Sequence, residues 1–151
     1  MVVAFCGHSN YVKNEKDENR VLEFLESEVE NTKCDFFLGE YGNFDSFGYC
    51  CAKKFKEKHP DSKLIFITPY IYPDYQKISL DYKDKFDDII YPGLEKTPLR
   101  YAISHRNKWI VQQADVIITY VVRKYGGAYS MYKYANTKGK KIYNISDAKI
   151  D

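Results

Sequence analysis

The sequence predicts an α/β fold, with a mainly parallel sheet of five or six strands and helices on both faces. Short apolar runs alternate with amphipathic stretches along the whole chain. Most of the apolar runs end at glycine or proline, as strands that lead into loops do. No internal repeat or linker interrupts this alternation, so residues 1–151 are predicted to form a single domain.

The first half of the chain supplies three strands and two helices. The apolar run after Met1 ends at Gly7, which is typical of a buried strand. Val21, Leu22 and Leu25 recur at helical spacing in the following segment. In chain order, the predicted elements are a strand at 2–6, a helix at 17–30, a strand at 35–38, a helix at 46–58 and a strand at 64–68.

The second half begins with an irregular segment and then resumes the alternation. Residues 69–85 are rich in tyrosine and proline, and so long a connection is either functional, such as a lid, or locally mobile. Tyrosines of residues 69–82 are candidates to stack on a base. The later predicted elements are a strand at 88–91, a helix at 99–113, a strand at 115–122, a helix at 127–138 and a strand at 141–145.

Composition excludes several classes of protein. A hydrophobic share of 44% and a charged share of 29% indicate a globular chain. The net charge is +2 and basic residues alternate with acidic ones, which predicts no dedicated nucleic-acid surface. The apolar runs are too short to cross a membrane. The four cysteines form no Cys-x-x-Cys pair and the three histidines are dispersed, so we expect reduced thiols, a cytoplasmic protein, no metal site and no cofactor.

Candidate ligand-binding residues follow the first two predicted strands, because parallel sheets bind ligands beyond the carboxyl ends of their strands. The first group is Gly7, His8 and Ser9, which also fits an ordinary polar turn. The second group is Gly39, Tyr41, Gly42 and Asp45. Asp45 either caps the following helix or accepts a hydrogen bond from a sugar hydroxyl. Glu40 is the candidate catalytic carboxylate if the protein is an enzyme.

The second half of the chain carries the other candidates. Arg106 shares a helix face with apolar residues, so it needs a partner or a pocket, and a phosphate or carboxylate would serve. Glycines at the start of a helix let main-chain amides converge on an anion. The predicted ligand-binding residues of this half are Arg106, Asn107, Arg123, Gly126, Gly127, Ala128 and Ser130.

These motifs resemble the SLOG superfamily, a Rossmann-like group that includes lysine-decarboxylase-like phosphoribohydrolases and the DNA-processing Smf proteins. The resemblance rests on the glycine loops above and most on residues 106–145, with Arg106-Asn107, Gly126-Gly127 and Gly139-Lys140-Lys141-Ile142. It implies a short single-domain member that binds nucleotides. The hydrolases carry a glutamate shortly after their glycine motif, whereas residues 125–133 here contain no carboxylate.

The leading functional hypothesis is therefore a binding protein. Its expected ligand is a nucleotide or a cyclic or ADP-ribose-type derivative, which the protein senses or sequesters at the carboxyl edge of the sheet. The alternative is a nucleoside 5′-phosphate N-glycosidase or related transferase that uses Glu40. A third possibility is a subunit whose tyrosine-rich surface mediates assembly. A homo-oligomer is expected, with no membrane partner.

Overall fold

The computed structural model of the protein describes residues 1–29, 33–70 and 84–146. Six strands lie in these ranges: β1 Val2–Gly7, β2 Asp35–Leu38, β3 Lys63–Ile67, β4 Asp88–Ile90, β5 Val116–Tyr120 and β6 Lys141–Asn144. Four α-helices accompany them: α1 Glu15–Glu28, α2 Asn43–Lys58, α3 Ala102–Gln113 and α4 Gly127–Thr137. A 3₁₀ turn, Leu99–Tyr101, leads into α3.

The strands form one parallel sheet in the order β4-β3-β2-β1-β5-β6. β1 pairs with β5, so that Ala4 lies opposite Ile117 and Gly7 opposite Tyr120. All six strands therefore direct their carboxyl ends to the same edge. The predicted α/β fold with a parallel sheet of five or six strands is confirmed.

Alternating side chains of the central strands build two separate cores. Phe5, Phe36 and Ile118 are buried on the face covered by α1 and α2. Cys6, Phe37 and Ile117 are buried on the opposite face, against α3 and α4. Strands buried on both faces carry the continuous apolar runs that the sequence shows.

The first turn of α2 differs from the predicted one. The helix begins at Asn43, three residues before the predicted start, with Gly42 as its N-cap residue. Asp45 therefore lies inside the first helical turn, and its Oδ2 accepts a hydrogen bond from the backbone N–H of Tyr41 at 2.8 Å. An acidic side chain in this turn is stabilised by the unpaired amides of the helix end.

Candidate functional site

The sheet reverses its strand order between β1 and β5, which are neighbours in space although α1 to α3 separate them in sequence. A crevice outside the carboxyl ends of such strands is where open parallel sheets bind ligands. A cavity of about 320 Å³, here called the edge cavity, opens at this point. Its polar lining and glycines are Gly7, His8, Ser9, Gly39, Tyr41, Asp45, Arg106, Asn107, Arg123, Gly126 and Gly127, and its apolar lining is Phe5, Cys6, Phe37, Ile103, Ile110, Ala128 and Met131.

The loops after β1 and β2 are packed tightly against each other. A Cβ atom on Gly7 would lie 2.3 Å from Cγ of Phe44, so the ring of Phe44 needs glycine there. Gly42 has a φ of +152°, and a Cβ on it would lie 2.9 Å from Cα of Ser9. The backbone N–H of Asn43 donates to the carbonyl of Ser9 at 3.0 Å. These glycines therefore serve the packing of one wall of the edge cavity.

Arg106 lies at the floor of the edge cavity with 5% of its surface exposed. Nη2 donates to Oδ1 of Asn107 at 2.7 Å, and Nη1 donates to the carbonyl of Ile67 at 3.3 Å. Its guanidinium carbon lies 5.1 Å from the ring centre of Tyr41, within cation–π range. Burial lowers the pKa of Arg106, and the nearby Asp45 opposes that shift. Arg106 thus holds several cavity residues in place through protein contacts.

Asp45 is the acidic group of the edge cavity. Burial raises the pKa of its carboxyl group, while the Tyr41 N–H and the Arg106 guanidinium oppose the rise. A Cβ atom on Gly39 would lie 3.0 Å from Oδ2 of Asp45 and 2.8 Å from Nη1 of Arg106. Because Gly39 has no side chain, the Asp45 carboxyl and the Arg106 guanidinium can both lie against its backbone.

His8 and Cys6 are fixed by the loops on the β5 side. Nε2 of His8 accepts the backbone N–H of Val122 at 3.0 Å, so this nitrogen carries no proton. Burial lowers the pKa of His8, and the positive charge of Arg123 lowers it further. The Cys6 thiol donates to the carbonyl of Ala128 at 3.2 Å, and burial raises its pKa to about 12. Both groups are therefore neutral at pH 7 and act as parts of the wall.

The loop after β5 is open. A Cβ atom on Gly126 or Gly127 would meet no atom within 4 Å, although Gly126 has a φ of +92°. Gly126 is the N-cap residue of α4, and no side chain accepts from the helix amides there. The first amides of a helix have no partner within the helix and carry partial positive charge. This side of the edge cavity has both the space and the donors for an anion.

A groove between α3 and α4, here called the α3–α4 groove, continues from the edge cavity. It has a volume of about 320 Å³ and shares Ile103, Asn107, Gly127 and Met131 with the cavity. Its remaining lining residues are Ser104, Lys108, Ser130 and Tyr134. The ammonium groups of Lys108 and Lys138 lie 5.8 and 5.4 Å from the ring centre of Tyr134.

Charge is distributed unevenly between the two parts of the chain. Residues 96–146 contain ten Lys and Arg residues and a single acidic residue, Asp115, whereas residues 1–95 contain 12 basic and 18 acidic residues. Some basic residues of the first part lie in ion pairs with its carboxylates, for example Lys56 with Asp87 at 2.7 Å. Within the described residues, no carboxylate forms an ion pair with Lys108, Arg123, Lys124 or Lys133.

Three of the predicted site residues lie outside the lining of the edge cavity. Glu40 pairs with the ammonium group of Lys85. Gly42 supports the Ser9 loop, and Ser130 lines the α3–α4 groove instead. The predicted tyrosine lid falls mainly on residues 71–83, outside the described residues. The apolar lining and Lys108 were missed by sequence reasoning, and the charge difference between the two parts of the chain was the available signal for Lys108.

Neither a metal cluster nor a membrane span is found in the part of the chain that the structure describes. No group of three or more His, Cys, Asp or Glu residues there could hold a metal ion. No helix in those ranges has the length and apolarity needed to cross a bilayer.

Solved structures of DNA-processing proteins share this fold. DNA processing protein A (DprA) from Streptococcus pneumoniae superposes with a TM-score of 0.64 and 18% identity, over 99% of this chain and 51% of that chain. DNA processing protein A from Helicobacter pylori, which binds single-stranded DNA, superposes with a TM-score of 0.61 and 16% identity, over 94% and 63%. The chain thus spans between about half and two thirds of their lengths. No family model matches the sequence, and neither does any curated protein.

The fold is Rossmann-like, as the resemblance implied. The partner prediction is wrong, however. A small-molecule partner with no nucleic-acid surface conflicts with structural neighbours that process or bind DNA. The physical reason for the error is that a net charge of +2 for the whole chain conceals the strongly basic residues 96–146.

Proposed function

We propose that this protein binds single-stranded nucleic acid along the edge cavity and the α3–α4 groove, and that its ligand is single-stranded DNA. The observation that carries the proposal is a set of basic residues without carboxylate partners. Lys108 lines the groove and Arg123 lines the cavity, while Lys124 follows Arg123 in the chain and Lys133 lies on α4. Cations without carboxylate partners attract a phosphate backbone and release its counterions on binding. The same glycine loops support membership of the SLOG superfamily.

Phosphate groups fit best at the start of α4. The amides of Gly127 and Ala128 have no cap, and Gly126 and Gly127 leave room for an oxygen atom to approach. Arg123 also lines the edge cavity, and its Nε is buried without a partner in the described residues. A phosphate placed there would receive main-chain and guanidinium donors together.

Tyrosines beside these cations, one exposed and two partly exposed, suit stacking on bases. Tyr125 is 67% exposed, and the guanidinium carbon of Arg123 lies 5.0 Å from its ring centre. The rings of Tyr129 and Tyr132 stack at 6.5 Å, and Lys133 lies over Tyr129. Aromatic faces alternating with cations are the usual surface for single strands, because every base has a face to stack.

The shape of the site favours a single strand over a duplex. The edge cavity is recessed and has about 320 Å³, a volume near the lower end for small-ligand sites. A base can enter it only if it leaves the stack of its neighbours, which is easiest in a single strand. The α3–α4 groove then offers a path for the next part of the strand, past Lys108 and Tyr134.

A matched pair of triple variants tests the proposal. Lys108→Gln/Arg123→Gln/Lys133→Gln removes three cations from the proposed surface. Lys53→Gln/Lys58→Gln/Lys63→Gln removes the same charge from α2 and β3. Fluorescence anisotropy with a mixed-sequence DNA strand of about 12 nucleotides should show at least about a tenfold loss of affinity for the first variant only. Equal losses in both variants, or no binding by the wild-type protein, would overturn the proposal.

A further inference from the structure

The edge cavity contains a feature that is unexpected in a site for a polyanion, namely the side chain of Asp45. A carboxylate repels phosphate, so the part of the cavity near Asp45 is unsuited to the backbone of a nucleic acid. The phosphate-binding groups lie at the other wall, at Gly126, Gly127 and Arg123. The cavity therefore has Arg123 and the α4 amides on one side, and the Asp45 carboxyl beside the Arg106 guanidinium on the other.

One carboxyl oxygen of Asp45 accepts a hydrogen bond from the described residues, and the other does not. Oδ2 accepts the backbone N–H of Tyr41 at 2.8 Å. Within the described residues no donor reaches Oδ1, and this atom is not among the side-chain atoms that are sealed from solvent without a partner. Oδ1 is thus an accessible hydrogen-bond acceptor in the edge cavity. Arg106 does not satisfy it, because Nη2 and Nη1 donate to Asn107 and Ile67 instead.

Asn107 provides a donor in the same cavity. Its Oδ1 accepts from both Nε and Nη2 of Arg106, at 3.3 and 2.7 Å. The Asn107 amide nitrogen is therefore oriented away from the guanidinium, and it has no partner in the described residues. Phe5, Phe37 and Met131 supply apolar surface around this polar pair. An apolar slot with one acceptor and one donor is suited to the flat edge of a nucleobase.

We propose that Asp45 Oδ1 accepts a hydrogen bond from the exocyclic amino group of a base in the edge cavity, so that the site prefers amino-bearing bases to thymine. This inference rests on the proposed function. Cytosine, adenine and guanine each offer an N–H₂ donor, and carboxylates accept from such groups. In thymine the single N–H lies between two carbonyl oxygens, which are repelled by the carboxylate. A thymine in this cavity either leaves Oδ1 of Asp45 without a donor or places a carbonyl oxygen, which carries partial negative charge, against it.

The test compares labelled oligonucleotides of about 12 nucleotides, oligo-dC and oligo-dT, by fluorescence anisotropy at neutral pH. Wild-type protein should bind oligo-dC about fivefold or more tightly than oligo-dT. In Asp45→Asn the ratio should fall to within about twofold, with affinity for oligo-dT unchanged or higher because a negative charge is removed. Asparagine retains an oxygen for the Tyr41 N–H, so the helix start is preserved.

Other outcomes would overturn the inference in distinguishable ways. Equal affinity of the wild-type protein for oligo-dC and oligo-dT overturns the base preference but leaves the proposed function standing. An equal loss of both affinities in Asp45→Asn assigns Asp45 a purely structural role. A preference for oligo-rU over oligo-dU that disappears in Asp45→Asn identifies the donor as the 2′-hydroxyl of the sugar instead. Absence of binding by every oligonucleotide overturns the proposed function together with this inference.

Discussion

The glycines after β1 and β2 lie at the same edge of the sheet as those after β5, but their surroundings differ. A Cβ on Gly7 would lie 2.3 Å from the ring of Phe44, and one on Gly39 would lie 2.8 Å from the Arg106 guanidinium. A Cβ on Gly126 or Gly127 would meet nothing within 4 Å. The first pair is required by packing inside the protein, whereas the second pair leaves space at the surface that a ligand can fill.

The balance of acidic and basic residues also differs between residues 1–95 and residues 96–146. Lysines of residues 1–95 such as Lys56 and Lys85 lie in ion pairs with carboxylates of the same region. In the described part of residues 96–146, Lys108, Arg123 and Lys133 have aromatic neighbours and no carboxylate partner. The acidic residues therefore lie mainly in residues 1–95, and the cations of residues 96–146 are available to an anion. Similar glycine loops in one sheet can therefore have different roles, which only their neighbours reveal.

The largest effect on stability should come from Gly7→Ala. The added methyl group would overlap the Phe44 ring, so either the ring or β1 must move, at a cost of about 3 kcal/mol in the free energy of unfolding. Urea denaturation followed by circular dichroism measures this. A loss below about 0.5 kcal/mol would show that the loop after β1 is not closed by packing.

Arg106→Met should have the next largest effect, about 2 kcal/mol, because it removes buried hydrogen bonds to Ile67 and Asn107. It also removes the cation beside Asp45, so the pKa of Asp45, already raised by burial, rises further. Because the folded-state pKa of this carboxyl is above its unfolded value, Asp45 destabilises the protein as the pH rises from the unfolded value through the folded one. A higher folded-state pKa makes that loss of stability larger. The destabilisation should therefore be larger at pH 7 than at about pH 4, near the ordinary pKa of an aspartate, in matched urea titrations. The same deficit at both pH values would contradict the Asp45 coupling.

Gly127→Ala should have the smallest effect on stability and still weaken binding. The new Cβ meets open space, and alanine is favourable in a helix, so the free energy of unfolding should change by less than about 0.5 kcal/mol. The methyl group occupies the approach to the α4 amides, and affinity for a DNA strand should fall about threefold or more. Urea titration and anisotropy on one preparation provide both values. Unchanged affinity would place the phosphate elsewhere.

Much of the fold was predictable because each strand and helix is marked locally. Gly7 ends the first apolar run, and apolar residues around Val21 recur at helical spacing. The start of α2 was misplaced because Asp45 resembles a capping residue, whereas its side chain turns back to Tyr41 inside the first turn. That choice depends on Gly42 and the Ser9 loop, which local sequence does not reveal.

The site was predictable in outline only. The switch point follows from strand order, so residues after β1, β2 and β5 were expected to converge. The contacts of Arg106 could not be foreseen, because Ile67 and Asp45 come from distant parts of the chain. The basic character of residues 96–146 was present in the sequence but is averaged away in the net charge.

The salt dependence of binding tests whether the cations of residues 96–146 contact the phosphates of a DNA strand. Affinity of the wild-type protein for a mixed-sequence DNA strand of about 12 nucleotides would be measured by anisotropy across a series of salt concentrations. If the unpaired cations of residues 96–146 contact three to five phosphates, log K should fall linearly with log salt concentration, with a slope of about −2 to −4. No detectable binding at about 50 mM salt, or an affinity that salt does not change, would show that these cations do not bind a DNA backbone.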